Sequence, residues 1–164
     1  VAAAEIVKKR YPETSFEIWG SLDPQFPNAV PLEKLQFDVG RNVITYKGFT
    51  HNSSDIYNRG GVVIVIPSYH EGMNRTLMEA CSTGKPIICT RIHGCMEMVA
   101  EGGNGYTVPT RDAKALADAM LRYMSLSAEE KLRMSSMSRS LAESRFSIET
   151  VIEEYKAIIS QKHS

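Results

Sequence analysis

Two carboxylates, Glu71 and Glu79, lie eight positions apart in the stretch PSYHEGMNRTLMEA, residues 67–80. A carboxylate has two acceptor oxygens and can take both hydroxyls of a vicinal diol. Between the two acids run Gly72, Met73, Asn74, Arg75 and Thr76. A helix that begins there leaves its first amides without intrahelical acceptors, which makes a seat for a phosphate or diphosphate. Glu79 falls one turn after Arg75 and Thr76 and shares their face. Leu77, Ala80 and Cys81 form the apolar face, so Glu79 is aimed at solvent or at a ligand. A phosphate seat with a polyol acceptor on each side fits a sugar nucleotide. Spacing alone also admits a plainer reading. Acids favour helix N-termini, and Arg75 with Glu79 can be a solvated i, i+4 pair of small value.

The elements that must position these groups can be read from the flanking sequence. Residues 62–66 (VVIVI) are β-branched throughout and bounded by Gly60-Gly61 and Pro67. They predict a buried parallel strand. Gly84 and Pro86 close the helix that follows. Strand, loop and helix N-terminus in that order place the loop outside the carboxyl end of a sheet, where ligands bind in open α/β folds. Further strands are predicted over residues 15–19, 43–46, 87–90 and 106–108, and short helices over 32–37 and 55–58. Residues 21–31 read as a loop and 102–105 as a turn cluster. Residues 1–10 already read as a helix. From Thr110 the chain turns helical. Leu116, Ala119, Met120 and Tyr123 mark one apolar face. Ser127 and Glu130 form a capping box, followed by a stripe of Met134, Met137 and Leu141. Ser147 caps a last helix with Val151, Ile152, Tyr155, Ile158 and Ile159 inward, a face partly exposed where a further domain that it would cross to is absent. The expected fold is α/β, a mostly parallel Rossmann-like sheet flanked by helices with a helical C-terminal tail.

The central stretch resembles the signature of the family 4 (group 1) retaining glycosyltransferases of the GT-B fold. The matching residues are Pro67-Ser68, Glu71-Gly72 and Glu79-Ala80, then residues 84–88 (GKPII), 94–99 (GCMEMV) and 104–109 (NGYTVP). Three segments in the right order make the resemblance specific. The Gly-Cys variant is similar to enzymes that build capsular and other surface polysaccharides. The resemblance implies the C-terminal donor-binding half of such an enzyme. Residues 1–164 would form one nucleotide-sugar-binding domain, with 147–161 as the helix that crosses back to the other domain. It further implies retaining transfer of a hexosyl group from a nucleotide-diphosphate sugar, UDP-linked, to a glycan or lipid-linked acceptor. Glu71 is the catalytic candidate, holding donor-sugar hydroxyls near the reacting carbon. Glu79 would hold the ribose, and Gly72, Met73, Asn74, Arg75, Thr76 and Gly94 would complete the substrate site. The family needs no divalent metal, so no cofactor is expected. Gly94 would let backbone approach the donor, where a Cβ would intrude.

The sequence departs from the family pattern in three places. Position 74 is Asn where relatives often carry Pro. His93 precedes Gly94 where a second glycine is common, and it reads as a surface histidine ahead of a donor contact. The loop over residues 21–31 is long, with no glycine after Gly20. Lys47-Gly48-Phe49 resembles the segment over which the base lies, although a core role for Phe49 is the favoured reading. The sequence opens on Val1 inside a helix and is expected to be an excised piece. The family's first strand, its Arg and Lys pair and the acceptor-binding N-terminal domain would lie outside it. Lys8, Lys9 and Arg10 do not match that pair. Such a piece would hold at most half a site and be inactive alone.

Bulk properties bound the alternatives. The 164 residues suffice for one core. Nineteen basic and 19 acidic residues cancel, so no nucleic-acid partner is expected. No apolar run approaches transmembrane length. Cys81, Cys89 and Cys95 show neither zinc spacing nor a disulfide framework and read as reduced thiols. Cys95 reads as a small filler ahead of a reactive thiol. A cytoplasmic location is expected, peripheral at the inner membrane face for the full-length protein. A sugar-nucleotide epimerase of the same fold would need its own catalytic acids and no Glu pair at this spacing. A receiver-like signalling domain would need acids where Asp23 and Asp55 do not fall. A non-catalytic sugar-nucleotide-binding module stays open.

Overall fold

A computed structural model describes residues 1–25 and 29–161. Part of the loop expected over 21–31 therefore lies outside the described residues. The element order is α1 (Ala2–Arg10), β1 (Glu17–Trp19), α2 (Leu32–Gly40), β2 (Thr45–Gly48), α3 (Ser54–Tyr57), β3 (Ile64–Ile66), α4 (Arg75–Ser82), β4 (Ile87–Thr90), a 3₁₀ turn (Met96–Met98), β5 (Gly105–Val108), α5 (Ala113–Met124), α6 (Ala128–Phe146) and α7 (Ile148–Gln161). All recorded strand pairs are parallel, as expected of strands separated by helices.

The expected single sheet is instead two. β1 pairs with β2, and β3, β4 and β5 form a three-stranded sheet with β4 in the centre. Individual bounds also move. The apolar run at 62–66 is a strand only from Ile64, where the pairing with Ile87 begins, while Val62 and Val63 are half-buried outside it. β2 starts two residues late because its register is set by Glu17 against Thr45. Val43 and Ile44 are nonetheless buried, against Ala4 and Leu35. α2 runs on to Gly40 and β5 begins at Gly105.

β4 is buried on both faces, and its alternating side chains divide the core. Ile88 packs into a cluster with Val7 of α1, Ala117 and Met120 of α5 and Met134 of α6. Ile87 and Cys89 face Leu77, Ala80 and Cys81 of α4 and Ala142 of α6. The predicted stripe on α6 is only partly right. Met134 is buried and Leu141 packs half-buried against the core, but Met137 is exposed, and Ser138 and Ala142 are the other buried positions. The Ser127–Glu130 capping box is present. On α7 the expected inward face is exposed at Ile152, Tyr155, Ile158 and Ile159, because no described element packs over it. Among the described residues no helix is long and apolar enough to cross a membrane.

The third motif segment is structural. Asn104 is fully buried. Its Nδ2 donates to the Met98 carbonyl at 3.0 Å and to Ser138 Oγ at 3.2 Å, and its Oδ1 accepts from the Ala100 amide at 2.7 Å. Ser138 Oγ in turn donates to the Lys85 carbonyl at 2.7 Å. One amide side chain thus ties the 3₁₀ turn, α6 and the approach to β4. Next to it, a Cβ on Gly105 would sit 1.9 Å from the Ile87 carbonyl oxygen, so β5 can lie against β4 only with glycine there.

The smaller sheet is tied down by charge. Arg59, ahead of β3, donates to both oxygens of Glu17 in β1 at 3.0 and 2.6 Å. Lys47 is 3.7 Å away, and Trp19 Nε1 donates at 3.0 Å. The Arg59 hydrogen bond is the main cause that holds the Glu17 carboxyl at about 2, below its usual 4.5, against the opposing effect of burial.

Two predictions follow from these contacts. Asn104→Ala strands several buried polar groups and should cost roughly 2–4 kcal/mol of stability, read as a lower urea midpoint. Asn58→Ala, on an exposed residue, should leave the midpoint unchanged, and equal midpoints in the two variants would refute the keystone role of Asn104. For Glu17 the folded carboxyl is the stronger acid. Its contribution is full above the unfolded value near 4.5 and is lost as pH falls through about 2. Arg59→Gln should therefore flatten the acid-side decline of the urea midpoint, and an equally steep decline in both proteins would exclude the ion pair as its cause.

Candidate functional site

The carboxyl ends of β3 and β4 lie side by side, and the loops that leave them meet. Pro67 ends β3, and residues 67–74 lead into α4. Thr90, at the end of β4 and buried, donates from its hydroxyl to the Ser68 carbonyl. Ser68 Oγ donates to Glu71 Oε1 at 2.6 Å. Glu71 is thus half-buried and oriented through a chain that begins in the fully packed central strand. In the sequence Ser68 is legible only as part of a motif and Thr90 only as the end of a strand. The hydroxyl at the end of the apolar run IICT is the signal that marks Thr90.

Gly94 holds the second loop against the first. Its φ is +80°, and a Cβ there would lie 1.7 Å from the Gly72 carbonyl oxygen and 3.0 Å from that of Glu71. The close approach expected at Gly94 is therefore made by the protein's own backbone, the Glu71–Gly72 segment. The Gly94 carbonyl accepts from the Asn74 amide at 3.4 Å.

Asn74 starts α4. It is buried, its backbone is extended, and its Oδ1 accepts from the Leu77 amide at 3.0 Å. This is an N-cap, the role that Asn favours. Asn74 spends its own amide on Gly94, so it does not contribute to an outward array. The amides of Gly72, Met73, Arg75 and Thr76 belong to exposed residues and donate to no recorded protein acceptor among the described residues. They are left to water or to a ligand, at the positive end of the helix dipole.

Glu79 stands one turn along α4 on the same side. Its side chain is 36% exposed, and Oε1 accepts from Arg75 Nε at 3.1 Å. Arg75 is 90% exposed, so this pair is weak and easily exchanged for ligand contacts. The face shared by Arg75, Thr76 and Glu79 is as the spacing predicts, and Leu77, Ala80 and Cys81 point into the core.

The remaining candidates sort by exposure. His93 is 95% exposed and its Nδ1 lies 3.0 Å from Glu97 Oε1. Phe49, read from sequence as core, is 62% exposed and stands edge-on to His51 at 4.7 Å. It follows Gly48 at the end of β2, where the backbone turns with φ +72° and carries the ring away from the core. All three cysteines are free and buried. Burial pushes the Cys81 thiol to about 11 and Cys89 to about 12. Burial, and then the nearby Glu71 charge, also raises Cys95. A protonated thiol with no exposure is not a nucleophile, so Cys95 is filler. No group of three or more His, Cys, Asp or Glu that could hold a metal occurs among the described residues.

The family model for glycosyl transferases group 1 matches residues 1–125. A poly(glycerol-phosphate) alpha-glucosyltransferase of Bacillus subtilis is 27% identical over 129 residues, covering 76% of this chain and 18% of its own length. The chain spans under a fifth of the first curated relatives it matches. Among solved structures, sucrose-phosphate synthase from Thermosynechococcus elongatus superposes with a TM-score of 0.79 at 22% identity, over 99% of this chain and 42% of that one. The pneumococcal O-GlcNAc transferase, solved with UDP and GlcNAc, superposes with a TM-score of 0.75 at 25% identity, over 98% of this chain and 32% of that one. The fold is that of the GT-B glycosyltransferases, a parallel α/β architecture with a helical C-terminal tail. The match over most of its length shows that the chain belongs to the group 1 glycosyl transferases.

Proposed function

We propose that this chain binds the donor, a nucleotide-diphosphate sugar carrying UDP, for a retaining hexosyl transfer. The observation that carries the reading is the first turn of α4. The amides of Gly72, Met73, Arg75 and Thr76, unpartnered among the described residues, lie between Glu71, which Ser68 orients, and Glu79, one turn along α4. The diphosphate sits on those amides, and Arg75 turns from Glu79 to a phosphate oxygen. Glu79 then takes the ribose diol. Glu71, oriented by Ser68, takes hydroxyls of the transferred sugar beside the reacting carbon.

Breaking the bond between that carbon and the diphosphate oxygen leaves negative charge on the leaving group. Amide dipoles fixed in advance stabilise that charge without reorganising at the moment of reaction. Gly94 contributes by holding the Glu71–Gly72 backbone in position. The exposed Phe49 ring, at the end of β2, offers a face for the base. That the pneumococcal O-GlcNAc transferase was solved with UDP and GlcNAc supports UDP as the nucleotide here. The similarity to a poly(glycerol-phosphate) alpha-glucosyltransferase supports a glycan or lipid-linked acceptor for this chain, with transfer at the cytoplasmic side. The acceptor would be bound by a separate domain, against which the exposed apolar face of α7 would pack.

The roles of the two glutamates separate by ligand. A hydrogen bond to a charged acceptor is worth roughly 1.5–3 kcal/mol, about ten- to a hundredfold in affinity. Glu79→Gln should weaken UDP and the UDP-sugar by similar factors. Glu71→Gln should leave UDP nearly unchanged and weaken only the UDP-sugar. Calorimetry on the complete polypeptide, with circular dichroism to verify folding, reads both. Equal damage to UDP binding by Glu71→Gln would overturn the assignment along the donor. If neither variant affects binding, the pair is surface decoration. Because the amides supply the positive field, UDP affinity should also be the same with and without excess EDTA. Loss of binding on chelation would show that a divalent cation holds the diphosphate instead.

A further inference from the structure

Tyr57 is buried, touches the first turn of α4, and has no part in the reading above. It closes the short helix α3 and is 3% exposed. Its ring packs in the cluster that holds Leu77, Ala80 and Cys81, beneath the proposed diphosphate seat. Its hydroxyl rises at the edge of that cluster and donates to the Thr76 carbonyl at 3.1 Å. Thr76 and Glu79 are three residues apart on α4, so a group at the Thr76 carbonyl stands beside the Glu79 side chain. On the solvent side, Glu79 has among the described residues only Arg75, which is 90% exposed.

We propose that Tyr57 is a positioning residue for Glu79, its buried hydroxyl holding the carboxylate from the core side in the orientation that accepts the ribose diol. The proposal rests on the donor reading of Glu79. A phenol carries one proton, which can turn from the Thr76 carbonyl to the nearer Glu79 oxygen. When Arg75 leaves for the diphosphate, Tyr57 is the donor that keeps the carboxylate from swinging. Burial first, and the Glu79 charge second, push Tyr57 up to about 12, so the donor stays protonated throughout the physiological range. A hydrogen bond from a neutral phenol to a carboxylate is charge-assisted and short-ranged, which suits it to fix one rotamer. Two hydroxyls bound at once require both oxygens in place, and an exposed arginine alone does not hold them.

A double-mutant cycle on UDP binding tests this in the complete polypeptide. The proteins are the parent, Tyr57→Phe, Glu79→Ala and the double variant, with UDP as the titrant and thermal melting as the folding check. Phenylalanine keeps the ring volume, so the packing beneath α4 is retained. Tyr57→Phe should weaken UDP roughly tenfold. The double variant should bind no more weakly than Glu79→Ala alone. Additive losses would show that Tyr57 supports α4 by packing and not through Glu79, which overturns the proposal. So would a loss in Tyr57→Phe with none in Glu79→Ala. If Glu79→Ala weakens UDP while Tyr57→Phe does not, the proposal fails and the donor reading stands. If neither change weakens UDP, the donor reading fails and takes the proposal with it.

Discussion

Two backbones touch at Gly72 and Gly94, with no room for a side chain between them. The candidate site depends on that contact. It fixes the loop after β3 against the loop after β4, and it orients the Gly94 carbonyl to receive the Asn74 amide. Asn74 in turn caps α4 through Leu77, which sets where the helix begins and which amides remain outward. Thr90 and Ser68 repeat the arrangement with side chains, passing the position of β4 to Glu71. A loop held at several points from a rigid strand keeps its geometry with little ordering left for a ligand to impose.

The rigidity of β4 has its own cause. A strand buried on both faces needs its neighbours close and its polar surroundings satisfied. Gly105 provides the first, by leaving room for the Ile87 carbonyl. Asn104 provides the second, by joining α6 to the turn that follows β4. The segment NGYTVP therefore belongs to the support of the site, although it matches the family pattern as well as the segment that holds the glutamates. A motif reports that a position is constrained, and only the contacts say by what.

Much of the architecture was legible because it rests on local rules. Periodicity gave the helices from Ala113 onward, and Ser127 with Glu130 gave a cap that the structure reproduces. The strand at Ile87–Thr90 was placed to the residue because an apolar run between Pro86 and a polar loop has few alternatives. The shared face of Arg75 and Glu79 followed from helix geometry alone. What escaped was set by distant partners. β2 starts at Thr45 because Glu17 lies opposite. The outward turn of Phe49 depends on the backbone at Gly48, and an aromatic residue after a strand reads as core unless that turn is known. Met137 fits the helical stripe by spacing but loses its place to Ser138, which Asn104 draws inward. Tyr57 sits in a four-residue helix too short to show a pattern.

The division of the strands into two sheets has a mechanical consequence. Phe49 stands at the end of the smaller sheet, while Glu71, Glu79 and the start of α4 stand at the end of the larger one. No strand pairing joins them among the described residues, and the connection runs through the packing of α1 and the Arg59–Glu17 bridge. A nucleotide bound as proposed, with its base on one sheet and its diphosphate on the other, would act as a brace across this seam. Part of its binding free energy would then go into stiffening the protein, and the seam would be where occupancy of the site becomes a change of elasticity.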